Sequence, residues 1–171
     1  VGQRPEGEFA ETAARAAELW DAQLLAGTKA PLRDALGDTI EDDARTDPVS
    51  MLDMGVHLVC PHHLTISFGM AHVAFEPQGK IVGFGGLAHL VERATARLVL
   101  QEEATQDIAT TLRETLGAKA AVAAIEATHP CHNVPNARSH GARALTVARS
   151  GDEDAAKRLE TLIIAAIQRE D

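Results

Sequence analysis

The residues best suited to chemistry in this chain are its two cysteines, each of which lies close to histidine. Residues 60–63 read Cys-Pro-His-His, and residues 129–131 read His-Pro-Cys. Thiolate and imidazole are the ligands that zinc prefers. Cys60 and His63 are three positions apart, so one turn could bring both to one ion. Cys131 lies far along the chain, and the fold would have to deliver it.

Such a ligand set predicts a catalytic metal site, because three protein ligands leave one tetrahedral position for water. Zinc lowers the pKa of its bound water towards neutrality and so supplies hydroxide at about pH 7. His62 and His129 are adjacent or nearly adjacent to these ligands, which makes them the candidates for moving protons. Two other interpretations remain open at this point: a buried thiol with surface imidazoles, and a disulfide bond.

The composition is that of an acidic chain of ordinary domain size. It has 171 residues and a net charge of −9, with 45% hydrophobic and 3% aromatic residues. This charge disfavours non-specific binding to nucleic acid or anionic membranes. The sequence has no apolar run of about 18 residues, so no membrane span is predicted. The first residues lack the apolar region of a signal peptide, and only two cysteines suit a reducing compartment. We expect a cytoplasmic protein without nucleic-acid or membrane partners.

Hydrophobic patterns predict an alternation of helices and strands. Strands are predicted over residues 49–59, 64–75, 118–128 and 142–148. Helices are predicted over residues 8–25, 87–98, 102–116 and 153–169. Residues 26–48 are expected to form a short helix and a loop, and residues 77–80 a turn. The resulting order is helix, two strands, two helices, two strands, helix, which predicts an α+β fold with an antiparallel sheet.

From about Thr12 to Gly151, this order and several short segments resemble the GTP cyclohydrolase I family. The segments are residues 60–63, 82–83 ahead of a helix, 90–92, 101–102 and 129–131. The resemblance implies the tunnelling fold, or T-fold, a four-stranded antiparallel sheet with helices on one side. It places that catalytic domain over residues 49–171, after an N-terminal helical region over residues 1–48, as one domain overall.

The resemblance also implies an assembly. Subunits of the family join edge to edge into barrels, typically as a decamer of two stacked pentamers. The active sites then form between subunits. We therefore expect a homo-oligomer with sites at its subunit interfaces.

By position, the resemblance implies a role for each residue of the site. The family's zinc ligands match Cys60, His63 and Cys131. Its proton-transfer histidines match His62 and His129. Glu102 matches the carboxylate that grips the guanine edge, and Gln101 matches the neighbouring substrate contact. The family reaction adds zinc-activated water to C8 of GTP, opens the imidazole ring and releases formate, and dihydroneopterin triphosphate forms after the ribose rearranges.

The chain departs from the family where the triphosphate binds. After Gly83 the family usually reads Leu-Ser-Lys-Ile-x-Arg, whereas residues 84–89 of this chain read Phe-Gly-Gly-Leu-Ala-His. Gly85 and Gly86 therefore stand where the family has serine and lysine, and His89 stands where it has arginine. These three residues are expected to border the substrate without gripping a phosphate chain.

Further along the resemblance, two more cations are missing and two are kept. Pro135 replaces an arginine after the second zinc cysteine, and Glu18 replaces a lysine near the start. Arg15 and Arg138 match arginines that the family retains, and they stay candidates for substrate contact. A triphosphate needs several lysine or arginine partners, so the expected substrate is a heterocycle without one.

Three functions follow, and they differ in class. The first is a zinc-dependent cyclohydrolase or related hydrolase acting on a purine- or pterin-like heterocycle without a triphosphate. The second is an authentic GTP cyclohydrolase I with a rebuilt phosphate site, for which candidate cations are Arg93, Arg97, Arg143 and Arg149. The third is a non-catalytic T-fold paralogue that binds a pterin, a purine or a partner protein.

Overall fold

The chain folds around a four-stranded antiparallel sheet. The structure is a computed structural model, and it describes residues 7–135 and 140–168. The strands of the main sheet are β2 (Val49–Val59), β3 (Ile66–Glu76), β5 (Ala120–Thr128) and β6 (Ala144–Gly151), in the spatial order β2-β3-β5-β6. A second, two-stranded sheet pairs β1 (Thr39–Asp42) with β4 (Gly79–Val82).

Helices connect and cover these strands. They are α1 (Thr12–Leu19), α2 (Phe84–Thr95), α3 (Gln101–Leu116), the single turn α4 (Pro130–Asn133) and α5 (Glu153–Ile167). α3 begins where the Glu103 carboxylate accepts a hydrogen bond from the Leu100 N–H at 3.3 Å, and it ends at Gly117 in the left-handed conformation. The first is a common feature at the start of a helix, and the second is a common feature at its end. They fix where α3 starts and so where Gln101 lies.

The two faces of the main sheet are covered by different helices. Along β5, Ala121, Ala123 and Ile125 belong to a core shared with α2 and α3. The residues that alternate with them, Ala120, Val122 and Ala124, pack in a second cluster with α5. Successive side chains of a strand point to opposite faces. The antiparallel four-stranded sheet is as predicted, but the expectation of helices on one side is corrected by α5.

Most predicted elements are present with shifted ends, and a few were missed. The four strands and the helices α2, α3 and α5 lie where the patterns placed them. The first predicted helix is divided into 3₁₀ and π turns on either side of α1. The β1–β4 pair was not predicted, because β1 is short, acidic and partly exposed and because residues 79 and 80 of β4 were assigned to a turn. Residue 169, the predicted end of the last helix, lies outside the described residues.

One ionic cluster joins the end of β3, helix α5 and Lys119, the residue that precedes β5. Glu76, at the end of β3, accepts from Lys119 Nζ at 2.7 Å and from Arg158 of α5 at 3.1 Å. The hydrogen bond from Lys119 holds the pKa of the Glu76 carboxyl below its ordinary value, with Arg158 adding to the effect and burial opposing it.

Within the described chain, no helix is both long and apolar enough to cross a membrane.

Candidate active site

The first half of the site is a tight turn between β2 and β3. Cys60 N–H donates to the Thr65 carbonyl at 2.9 Å, and Leu64 N–H donates to the Cys60 carbonyl at 2.9 Å. Leu64 has a φ of 53°, a left-handed conformation that a branched side chain rarely adopts. The turn brings Cys60 Sγ to 3.6 Å from His63 Nδ1. The spacing of residues 60–63 therefore produces a ligand pair through local backbone geometry.

The second half comes from the end of β5, which lies beside β3 in the sheet. Helix α4 starts at Pro130, a residue favoured in the first helical position because it has no N–H to satisfy. The N–H groups of His132 and Asn133 donate to the His129 carbonyl at 3.0 and 2.9 Å. The Asn133 amide donates to the Ala142 carbonyl at 3.1 Å. These bonds hold Cys131 in a short helical turn facing the first half of the site.

The folded chain brings the three predicted metal ligands together. The ligand atoms of Cys60, His63 and Cys131 all lie within 4.8 Å of one another. A tetrahedral zinc with bonds of about 2.3 Å to sulfur and 2.0–2.1 Å to nitrogen separates neighbouring ligand atoms by roughly 3.6 Å. The Cys60–His63 pair already has this separation. Both cysteines are free thiols, so the disulfide interpretation does not describe this structure.

The cluster opens into a pocket of about 480 Å³, a size in the range of small-molecule sites. Besides the three ligands, the pocket contains the predicted site residues His62, Gln101, Glu102 and His129. Glu102 is exposed in the first turn of α3. Apolar walls come from Leu58, Val99 and Leu100. The bridge between Val59 and Leu98 holds the start of α3 beside the end of β2, and so beside the turn that carries Cys60 and His63.

The two predicted proton-transfer histidines have different environments. His62 is exposed, and its ring lies edge-on to His63 with centroids 6.1 Å apart. His129 is half-buried, with Nδ1 at 3.1 Å from Ser67 Oγ and Nε2 at 2.6 Å from Gln101 Oε1. The sequence patterns did not single out Ser67, because a lone hydroxyl in a strand carries no spacing signal.

Other predicted substrate contacts do not line this pocket in the described chain. Gly85, Gly86 and His89 belong to the first half of α2. A Cβ on Gly86 would overlap the Leu36 carbonyl oxygen and lie 2.7 Å from Val82 Cγ2. The backbones therefore pack too closely there for any longer side chain. At Gly85 a Cβ would meet nothing within 4 Å.

The remaining predicted contacts are arginines, and most are held by other parts of the chain. Arg15 is exposed and pairs with Glu11 at 2.7 Å. Arg138 lies outside the described residues. Three of the candidate replacement cations have partners elsewhere in the chain. Arg93 donates to the Pro31 carbonyl at 3.0 Å, Arg97 pairs with Asp107 at 2.7 Å, and Arg149 pairs with Glu160 at 3.4 Å. Arg143 pairs with Glu126 at 2.6 Å and lines the pocket.

Comparison with known proteins supports one family. The family model for GTP cyclohydrolase I matches residues 1–168. A GTP cyclohydrolase 1 from Chromobacterium violaceum is 36% identical over 159 residues, which cover 93% of this chain and 77% of that protein. A GTP cyclohydrolase 1 from Bacillus subtilis is 33% identical over 175 residues, which cover 100% of this chain and 90% of that protein.

A solved structure of another protein resembles the fold. The apo form of the archaeosine synthase QueF-Like superposes with a TM-score of 0.50 and 17% sequence identity, over 61% of this chain and 94% of that one. At this identity the likeness concerns the fold alone. It agrees with the T-fold expected for the subunit.

Proposed function

Because this chain belongs to the GTP cyclohydrolase I family, we propose that it is a zinc-dependent cyclohydrolase whose substrate is a purine- or pterin-like heterocycle without a triphosphate. The observation that carries the proposal is the convergence of Cys60, His63 and Cys131 at the wall of a pocket that also contains Glu102. Zinc bound by these three residues would supply an activated water for attack on a ring carbon.

The other pocket residues suit recognition of a flat, nitrogen-rich ring. The two oxygens of the Glu102 carboxylate can accept from two adjacent N–H donors, as on a guanine-like edge. The apolar side chains of Leu58, Val99 and Leu100 offer contact to the faces of the ring. His62 is exposed and lines the pocket, and in this proposal its imidazole gives a proton to a departing nitrogen or takes one from water.

The absence of a triphosphate is inferred from charge. Among the described residues that line the pocket, Arg143 is the only lysine or arginine, and Glu126 already pairs with it. A triphosphate carries about four negative charges and needs several such partners. Each charge-assisted hydrogen bond that is missing costs about 1.5–3 kcal/mol of binding. At Gly86 the contact with Leu36 leaves no room for a lysine.

A second candidate is an authentic GTP cyclohydrolase I with a rebuilt phosphate site. Arg143 favours it, since this cation lies at the pocket wall and could exchange Glu126 for a phosphate. The names of the relatives favour it as well. A non-catalytic paralogue is the weakest of the three, because a binding module has no need of converging thiols and imidazoles.

Guanosine is expected to bind the pocket as tightly as GTP or more tightly. Turnover of GTP should be weak. Binding energy from a remote triphosphate normally helps hold the reacting ring, and few cations here can supply it. The assay compares GTP, guanosine and pterin-like compounds on zinc-loaded protein, following purine absorbance and formate release. Turnover of GTP alone, with kcat/KM of about 10⁴ M⁻¹s⁻¹ or more, would contradict this proposal. It would favour an authentic GTP cyclohydrolase I with a rebuilt phosphate site.

The chain is also expected to form a homo-oligomer, most simply a decamer of two pentamers. Among the described residues, no strand pairs with the outer edge of β2 or of β6, apart from the bridge of Val59 to Leu98. Such edges tend to be covered by another chain. A neighbouring copy could also bring Gly85, Gly86 and His89 to the pocket. Light scattering at micromolar concentration measures the mass, and a monomer would contradict the assembly.

A further inference from the structure

The imidazole of His129 is hydrogen-bonded through both of its nitrogens. Antiparallel pairing of β3 with β5 places Phe68 opposite Thr128, so the next residues, Ser67 and His129, face each other at the end of the ladder. Ser67 Oγ lies 3.1 Å from Nδ1, and Gln101 Oε1 lies 2.6 Å from Nε2. Ser67 is 1% exposed and Gln101 is 4% exposed. The ring is therefore held between two buried side chains.

The orientation of the Gln101 amide follows from its other partners. Its Nε2 donates to the carbonyl oxygens of Ile125 and Ala144, at 2.8 and 3.0 Å, and lies 3.1 Å from Thr146 Oγ1. A carbonyl oxygen can only accept. With the amide reversed, Oε1 would face two carbonyl oxygens without a hydrogen between them. The network thus requires Oε1 to face His129.

This orientation decides which nitrogen of His129 carries the hydrogen. Gln101 Oε1 is an acceptor, so Nε2 of the ring must be the donor. In the neutral imidazole the other nitrogen, Nδ1, is then an acceptor, and the Ser67 hydroxyl donates to it. The two neighbours accordingly select one tautomer and one ring plane. Selection of this kind by second partners is a common way to orient a functional histidine.

We propose that Ser67 is a positioning residue that, with Gln101, holds His129 as the Nε2–H tautomer in one fixed ring plane at the pocket wall. Gln101 then acts through His129, in place of the substrate contact predicted from its position. Only the consequence for turnover rests on the proposed cyclohydrolase function. The tautomer itself is a property of the folded chain.

Magic-angle-spinning NMR of protein with ¹⁵N-labelled histidine tests the tautomer at any oligomer size. Spectra are recorded at about pH 9 on protein as purified and after chelation of metal. His129→Gln identifies the ring signals. We expect one protonated nitrogen, Nε2, and one hydrogen-bonded unprotonated nitrogen, Nδ1. Tautomer-averaged shifts, or a protonated Nδ1, would overturn the proposal without reference to zinc or substrate.

Variants of Ser67 test its part in the network. Ser67→Ala is expected to move the Nδ1 signal to that of an unbonded ring nitrogen, and Ser67→Thr is expected to restore it. Thr65→Val is the matched control, since within the described chain the Thr65 hydroxyl is buried without a hydrogen-bond partner. With whichever of GTP and guanosine the wild type turns over, Ser67→Ala should lower kcat about two- to tenfold at unchanged zinc content and KM. An unmoved Nδ1 signal, or an unchanged kcat, would refute the positioning role.

Discussion

Replacing Cys131 with alanine is expected to remove the metal and the activity together. Cys131 supplies one of only two thiolates in the ligand cluster, and its ligand atom lies within 4.8 Å of those of Cys60 and His63. Losing a thiolate removes both a strong bond to zinc and the negative charge that compensates the ion. Zinc content measured by elemental analysis should fall to background, and formate release should fall with it.

A matched control for this variant is available on the same turn. Val134 is 78% exposed and does not line the pocket, so Val134→Ala should keep both the zinc and the activity. Circular dichroism of Cys131→Ala should retain the helix and strand signals, because Cys131 is not part of either core cluster. Full zinc occupancy in Cys131→Ala would show that the zinc is held by other residues.

Replacing His62 with alanine is expected to lower turnover by about 10²–10⁴-fold, the usual contribution of a positioned proton-transfer group. His62 is exposed at the pocket, and it is not one of the three ligands. The zinc should therefore stay bound. The pattern that identifies this role is a fall in kcat at constant metal content, measured with saturating substrate.

His140 provides the comparison for this experiment. It is exposed, like His62, but is not among the residues that line the pocket. His140→Ala should therefore turn over substrate at the wild-type rate. Equal activity of wild type and His62→Ala would mean that another group transfers the proton, and His132, which also lines the pocket, would be examined next.

The grouping of Cys60, His63 and Cys131 was predictable because the residue types that bind zinc are few, and this chain has only two cysteines. The segment with Cys60 and His63 needs only one turn to become a ligand pair. The strand that ends near His129 is an apolar run that any pattern analysis detects. The three ligands could therefore be named without knowing where β3 and β5 lie in the sheet.

The polar support of the site could not be predicted in this way. Ser67 and Gln101 meet His129 only because three separate elements converge, and hydroxyl or amide side chains are common in strands and helices. The contact of Gly86 with Leu36 likewise depends on how the N-terminal region crosses α2. The second helical layer on the sheet was missed because alanines look equally apolar on both faces of a strand.

Those alanines make the site sensitive to volume changes far from any ligand. β5 carries Ala121 and Ala123 towards the α2–α3 layer and Ala120 and Ala124 towards α5, so at these four positions the strand contributes only a methyl group to the packing. A larger side chain at any of these positions would press against the helix that packs on it. Overpacking of this kind typically costs about 1–3 kcal/mol. On the α3 side the strain would displace the helix whose first turn holds Gln101 and Glu102. None of the described residues of β5 lines the pocket, yet a change of side-chain volume along this strand is expected to alter the position of the residues that do.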